Sequence, residues 1–268
     1  MAFIKIYKEA VLFFMMKPIK ALVVCKDSKD TKEGEACMML KHEGFDFLYS
    51  WKNTLTQNAL EGVDLIIAIG GDGTVLSASH YILDAPLLAV NSSPETSVGA
   101  LATISLKELP KKLEQIKKGI KTEDLERIEV SINDCLIDHL SLNEVFIGNE
   151  KSYLISKYMV EFKNKKEKQL SSGILFSTGT GSTAWFYSAG GKPFSKNSRF
   201  IKMIVREPYH SKLLKVNLLD CDIKEGEEFK VIISVPSVLA VDSIREYKLN
   251  AGDIVKVKIS GHPLKRIV

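Results

Sequence analysis

Asp72 is the residue with the most chemistry to offer, and it sits in the run Gly70-Gly71-Asp72-Gly73-Thr74. A glycine turn leading from a strand into a helix gathers backbone N–H groups and a positive helix end, which suits a phosphate. A carboxylate beside a triphosphate is repelled, and P-loops place Lys in the equivalent position. Asp72 therefore has one of two tasks, to hold a metal ion or to accept a proton. Both belong to phosphoryl transfer. The competing reading, a plain helix cap, is outweighed by the two preceding glycines, the apolar strand before them and the Thr and apolar helix after them.

Two further stretches carry polar groups in unusual places. Thr178-Gly179-Thr180-Gly181-Ser182-Thr183-Ala184-Trp185 follows an apolar run and opens with small residues. The spacing Gly179-x-Gly181-x-x-Ala184 fits a dinucleotide fingerprint, but that fingerprint needs an acidic residue about 20 positions on in a parallel sheet. Position 199 is Arg, in a β-rich region. What remains is a turn with three hydroxyls (Thr180, Ser182, Thr183) and an aromatic, able to bind a nucleotide and stack on a base. Asn143-Glu144 lies inside the apolar run Leu140-Ser141-Leu142-Asn143-Glu144-Val145-Phe146-Ile147. Neighbours on a strand face opposite sides, so one of the pair points inward and needs polar partners, a role that ribose hydroxyls or backbone groups fill.

The elements that position these residues change character along the chain. Residues 19–25, 45–49, 63–69 and 86–90 read as strands, and residues 30–42, 55–60 and 74–83 as helices. Ser105-x-x-Glu108 is a capping box opening a helix that Gly119 closes. Alternating strands and helices imply a parallel sheet with its site at the strands' carboxyl ends. After Lys121 the period becomes 2. Residues 125–132 and 136–147 form a hairpin about Asn133-Asp134, and residues 153–162 and 168–176 flank a lysine-rich turn. Residues 199–205, 228–235, 238–241, 245–249 and 254–259 continue the strands, and only 181–190 reads as helix. The expected domains are 1–121, α/β with the glycine loop, and 122–268, mostly antiparallel β, whose last residues can return to the first domain.

The 268 residues, 45% hydrophobic and 26% charged, are globular in composition. A net charge of +4 fits small anionic ligands and makes no case for nucleic acid. Cys25, Cys37, Cys135 and Cys221 are far apart, as reduced cytosolic thiols are. The histidines lack metal-ligand spacing, so no protein-built metal site is expected. No apolar run reaches the roughly 18 residues of a membrane span. Residues 10–16 are apolar but too short for a signal peptide, and either Met1 or Met16 serves as a start.

Taken together and in order, the three motifs resemble the NAD kinase family. Gly70-Gly71-Asp72-Gly73-Thr74 matches its phosphate loop, Asn143-Glu144 its Asn-Glu pair, and the 178–185 turn its T-P-T-G-S-T-A-Y segment. Val241-Asp242 sits where the family has a late Asp near the nicotinamide end of NAD. Gly179 replaces Pro, Trp185 replaces Tyr, and Ser172-Gly173 replaces Asp-Gly. With Asn91-Ser92-Ser93-Pro94-Glu95 and Ile204-Val205-Arg206-Glu207-Pro208, these departures look like the mitochondrial-type subgroup.

The resemblance implies an α/β domain followed by a β-rich domain, the arrangement shared with diacylglycerol kinases, with residues 122–268 here serving NAD binding and oligomerisation. It implies the reaction ATP + NAD → ADP + NADP at the 2′-hydroxyl of the adenosine ribose. Asp72 is then the general base, while Gly71, Gly73 and Thr74 hold the donor phosphates. Asp72, Gly73, Asn143, Glu144, Ser172, Thr180, Thr183, Ala184, Trp185 and Asp242 are then the NAD-binding set. Mg²⁺ arrives bound to the nucleotide, and the family's dimers or tetramers assemble through the β domain. The same loop also occurs in diacylglycerol- and sphingosine-type lipid kinases, and a catalytically silent NAD(P) sensor is an alternative of another class. Asn143-Glu144 argues against the first, and an intact Asp72 against the second.

Overall fold

The structure, a computed structural model, describes residues 19–26, 31–95, 99–210 and 216–268. The two candidate starts, the apolar stretch 10–16, the beginning of the first expected helix at Asp30 and residues 96–98 of the loop after Asn91 lie outside the described residues. The chain forms two compact units, Met1–Val75 with Ala85–Lys121, and Leu76–Asp84 with Thr122–Val268.

The first unit carries β1 (Lys20–Cys25), β2 (Asp46–Trp51), β3 (Leu65–Gly70), β4 (Leu87–Asn91) and β5 (Ile104–Ser105). They pair in parallel in the order β2-β1-β3-β4-β5. Every residue of β3 and β4 is buried, as continuous apolar strands covered on both faces must be. Helices Thr31–His42 and Leu109–Lys118 belong to this unit. The second buries Leu109, Leu113 and Ile116 at helical spacing. Its capping box is formed, with Ser105 N–H and Oγ both donating to Glu108 Oε2. Residues 55–60 contribute only a 3₁₀ turn, Gln57–Leu60.

The helix after the glycine loop runs Asp72–Ser79, not 74–83. It begins two residues earlier because Gly71 O already accepts the N–H groups of Thr74 and Val75. The Asp72 carboxylate also suits a helix's first turn.

The second unit contains β6 (Thr122–Leu125), β7 (Ile128–Ile132), β8 (Cys135–Leu136), β9 (Glu144–Gly148), β10 (Ser156–Phe162) and β11 (Lys165–Ser171). Then come β12 (Gly173–Ser177), β13 (Phe200–Arg206), β14 (Asp220–Lys224), β15 (Phe229–Ile233), β16 (Ser237–Val241), β17 (Arg245–Leu249), β18 (Ile254–Ile259) and β19 (Leu264–Ile267). One antiparallel sheet is ordered β11-β10-β15-β18-β7-β8, another β14-β13-β12-β9-β16-β17, and β19 pairs with β6. Alternate residues of the two larger sheets, among them Phe162, Phe176 and Phe229, share one core.

Three expected elements are broken, two of them where a side chain takes backbone N–H groups. Residues 136–147 are not one strand. β8 ends at Leu136, and β9 begins at Glu144 in the other sheet, because the N–H groups of Leu142, Asn143 and Glu144 go to the Asp242 carboxylate. Residues 168–176 divide between sheets at Ser172. Here Ser171 Oγ takes the Gly173 N–H at 2.9 Å, and a Cβ on Gly173 would run into Phe146. Residues 181–190 form a 3₁₀ turn, Gly181–Thr183, and a short helix, Trp185–Ser188, broken at Ala184.

Arg127 is the largest fully buried side chain among the described residues. Its guanidinium donates to the carbonyls of Ser79 (2.9 Å), Ile82 (2.6 Å), Leu83 (3.4 Å) and His262 (2.7 Å). A cation at a helix's carbonyl end is favourable, and desolvation lowers its pKa to about 10. Lys has neither the planar fork nor the number of donors to replace it. Arg127→Lys is therefore expected to lose about 2–4 kcal/mol of unfolding free energy, from carbonyls left unpaired in the dry. Urea unfolding checks this, and a loss below about 0.5 kcal/mol would contradict it.

Candidate active site

In the first unit, β3 and β4 end side by side, with Gly70 opposite Asn91. The glycine loop leaves from the end of β3, as ligand-binding loops of parallel sheets do. Asp72 is half-buried and held by the loop after β4. Its Oδ1 accepts the N–H groups of Leu101 (2.9 Å) and Ala102 (3.1 Å), and its Oδ2 that of Ala100 (3.1 Å). The turn that presents these amides depends on Gly99, at φ +67°, where a Cβ would press on Ala102 O and Asn91 Nδ2. A carboxylate has about four lone-pair sites, so one remains. Gly71 and Gly73 stay near the surface. Thr74, expected at the donor phosphates, is buried instead, its N–H spent on Gly71 O and its side chain packed against Gly70. It shapes the loop from beneath.

In the second unit, Asn143-Glu144 and the 178–185 turn meet. Thr178 N–H donates to Asn143 O at 3.0 Å, and Thr178 Oγ1 to Leu142 O at 2.6 Å. Gly181 is required there, since a Cβ would overlap the Asn143 backbone. Gly179 is required as well, because the Ser195 backbone occupies the place of its Cβ. That contact accounts for glycine at this position. Asn143 Oδ1, Glu144 Oε2 and Thr180 Oγ1 are all buried and have no hydrogen-bond partner among the described residues, a state shared by His80 Nδ1, Gln169 Oε1 and Arg245 Nε. Orphaned buried polar atoms are rare, and each calls for an explanation such as a ligand or an ordered water. These three lie on two loops that touch, where a polar ligand would satisfy them together.

Glu144 accepts only the Ser243 hydroxyl, at 3.3 Å. Burial, with the nearby Asp242 charge second, pushes its pKa up to about 7. Thr183 and Ala184 are exposed, and Ser172 is half-buried. Ser182 offers nothing to a ligand, because its hydroxyl donates to Gly179 O at 2.7 Å and accepts the Phe194 N–H. Trp185 is not a bare platform for a base. Its ring lies 4.9 Å from Phe146, and the Arg206 guanidinium sits 5.2 Å from it.

Asp242, expected to touch NAD, is placed elsewhere. Its side chain is fully buried and accepts from Ser141 Oγ, from three successive backbone N–H groups and from His80 Nε2. His80, Ser141, Ser243 and Arg127 have no motif in the sequence. Ser141 stands only as part of the 140–147 run.

The ATP-NAD kinase N-terminal domain family matches residues 8–120. An NAD kinase of Acinetobacter baylyi is 30% identical over 221 residues, covering 76% of this chain and 67% of that protein. An NAD kinase of Methanosarcina barkeri is 29% identical over 210 residues, covering 76% and 73%. The crystal structure of an NAD kinase from Archaeoglobus fulgidus in complex with ATP superposes with a TM-score of 0.77 over 93% of both chains at 21% identity, a likeness of fold.

The raised Glu144 pKa has a sign that can be measured. The folded chain holds this proton more tightly than the unfolded chain, whose carboxyl titrates near 4.5. Its contribution to stability is complete below that value and is lost as pH rises to about 7. The loss is on the order of 3 kcal/mol. Glu144→Gln removes this slope, so its Tm is expected to fall less than the wild type's between about pH 5 and pH 7.5. Parallel Tm-against-pH curves would show that Glu144 does not titrate there.

Proposed function

The chain belongs to the NAD kinase family, and from that premise we propose that it transfers the γ-phosphoryl group of ATP to the 2′-hydroxyl of the adenosine ribose of NAD, giving ADP and NADP. One observation supports this reading above the others. The buried, unpartnered atoms Asn143 Oδ1, Glu144 Oε2 and Thr180 Oγ1 coincide with positions that the family gives to NAD. A sugar's hydroxyls both donate and accept, so they suit the two acceptor oxygens and the threonine hydroxyl together. An acyl chain satisfies none of them, and the relatives give no support to the lipid-kinase or sensor alternatives.

Within this reading Asp72 is the general base. Three amides leave its carboxylate one acceptor site. The 2′-hydroxyl donates into that site, and its proton passes to Asp72 late, as the oxygen gains its bond to phosphorus. The amides hold the carboxylate still, so little reorganisation is needed. Gly71 and Gly73 face the donor phosphates. Ser172, Thr183, Ala184 and Trp185 complete the adenine side, with Trp185 contributing an edge while Phe146 and Arg206 engage its ring.

Mg²⁺ comes with the triphosphate and screens its charge from Asp72. Asp72, tied to three amides, is poorly disposed to serve as a metal ligand. The mitochondrial-type subgroup is supported by Gly179, Trp185, Ser172 and the 91–95 and 204–208 stretches. A cytoplasmic setting is supported by four free cysteines. A homodimer or homotetramer follows from the family alone.

Asp72→Asn tests the base. General-base assistance contributes about 10²–10⁴ in rate, so kcat is expected to fall by that factor, about 2.7–5.5 kcal/mol, with NAD affinity little changed. A variant within about threefold of wild type in a coupled NADP assay would refute the role.

A further inference from the structure

The Asp242 carboxylate has no capacity left for a ligand. Five donors converge on its two oxygens. Ser141 Oγ (2.6 Å) and the N–H groups of Asn143 (2.8 Å) and Glu144 (3.0 Å) reach Oδ1, and the Leu142 N–H (2.9 Å) and His80 Nε2 (2.8 Å) reach Oδ2. That exceeds the roughly four lone-pair sites of a carboxylate. The carboxylate itself is fixed from behind. Asp242 and Ser243 are the central residues of the turn that joins β16 to β17, with φ of 49° and 55°, closed by Ile244 N–H on Val241 O at 3.0 Å. Asp is one of the few residues that accept this conformation readily. The Asp242 N–H in turn donates to Glu144 O at 2.9 Å.

Three consecutive amides aimed at one anion fix the backbone of residues 142–144. That backbone sets where the Asn143 and Glu144 side chains leave the chain, and both end in unpartnered buried oxygens. Of the five donors, His80 alone is supplied by a distant side chain outside this turn. Its side chain is fully buried, and because a carboxylate only accepts, Nε2 carries the proton. The ring packs edge-on to His139 at 5.6 Å, and His139 Nδ1 is 2.6 Å from Tyr247 Oη.

We propose that Asp242 and His80 are positioning residues for NAD: the His80–Asp242 hydrogen bond sets the orientation of the carboxylate that shapes the Asn143-Glu144 turn, and neither residue touches the dinucleotide. This rests on the reading of Asn143 and Glu144 as NAD-binding residues. Loss of the His80 donor lets the carboxylate rotate and loosens the turn. The cost then falls on NAD and not on ATP.

The test compares full-length His80→Phe, His80→Gln and Ser141→Ala by steady-state kinetics with NAD and ATP varied separately. Losing one hydrogen bond to a buried charge predicts a rise in KM for NAD of about tenfold in His80→Phe, with KM for ATP within about twofold. His80→Gln, whose amide can still donate to the carboxylate, is expected to recover most of the loss. Ser141→Ala removes one donor at little cost in volume and is expected to raise KM for NAD by about threefold to tenfold. It decides the matter if His80→Phe does not fold. An unchanged KM for NAD in the folded variants overturns the proposal, as does an equal rise in both KM values or a Gln variant as poor as Phe. A wild-type chain that forms no NADP would instead overturn the family reading, and this inference with it.

Discussion

A carboxylate in the dry interior has to be surrounded by donors, and the second unit is arranged around that requirement at Asp242. An isolated buried charge is costly unless hydrogen bonds replace the water it loses. Here the donors come from a serine, a histidine and three backbone amides, so the charge is tolerated and the backbone of residues 142–144 is consumed in tolerating it. Two consequences follow. The strand there cannot pair as a strand until Glu144. The fixed negative charge also discourages ionisation of the Glu144 carboxyl beside it. One acid holds its place by being saturated, and its neighbour is left with an oxygen to offer.

Asp72 follows the same plan with one difference. It also gathers three consecutive amides, those of residues 100–102, but it is only half-buried and keeps acceptor capacity. The two aspartates thus divide the labour according to what remains after the backbone has been served. Asp242 has nothing left and acts through the turn it shapes. Asp72 has one site left, which the proposed role of general base requires. Arg127 is the cationic counterpart, a buried charge satisfied by four carbonyls and given over to structure.

Much of this was legible in the sequence wherever the cause is local. The change from alternating strands and helices to period-2 strands near Lys121 is legible because the period records which faces are buried, whereas the membership of Leu76–Asp84 in the second unit is not. The capping box at Ser105 and Glu108 lies within four residues and formed as expected. The glycine loop, the Asn-Glu pair and the 178–185 turn were all found as polar groups out of keeping with their surroundings. What the sequence hid is long-range. His80 and Asp242 are 162 positions apart, so neither announces the other. Without that bond Asp242 reads as a ligand group and residues 136–147 as an ordinary strand. The split at Ser172 was hidden for a related reason, because a side-chain hydroxyl took an amide that alternation assigns to a neighbouring strand. Trp185 looked like a free base platform because Phe146 and Arg206 are remote in the chain.

The central claim is that the saturated acid stays behind the turn while the unsatisfied oxygens in front of it receive the sugar. A crystal structure of the full chain with bound NAD examines it directly. The account predicts adenosine ribose hydroxyls within about 3 Å of Asn143 Oδ1 and Glu144 Oε2, with every donor to Asp242 still in place. A nucleotide that contacts the Asp242 carboxylate, or that leaves those two oxygens without partners, would contradict it.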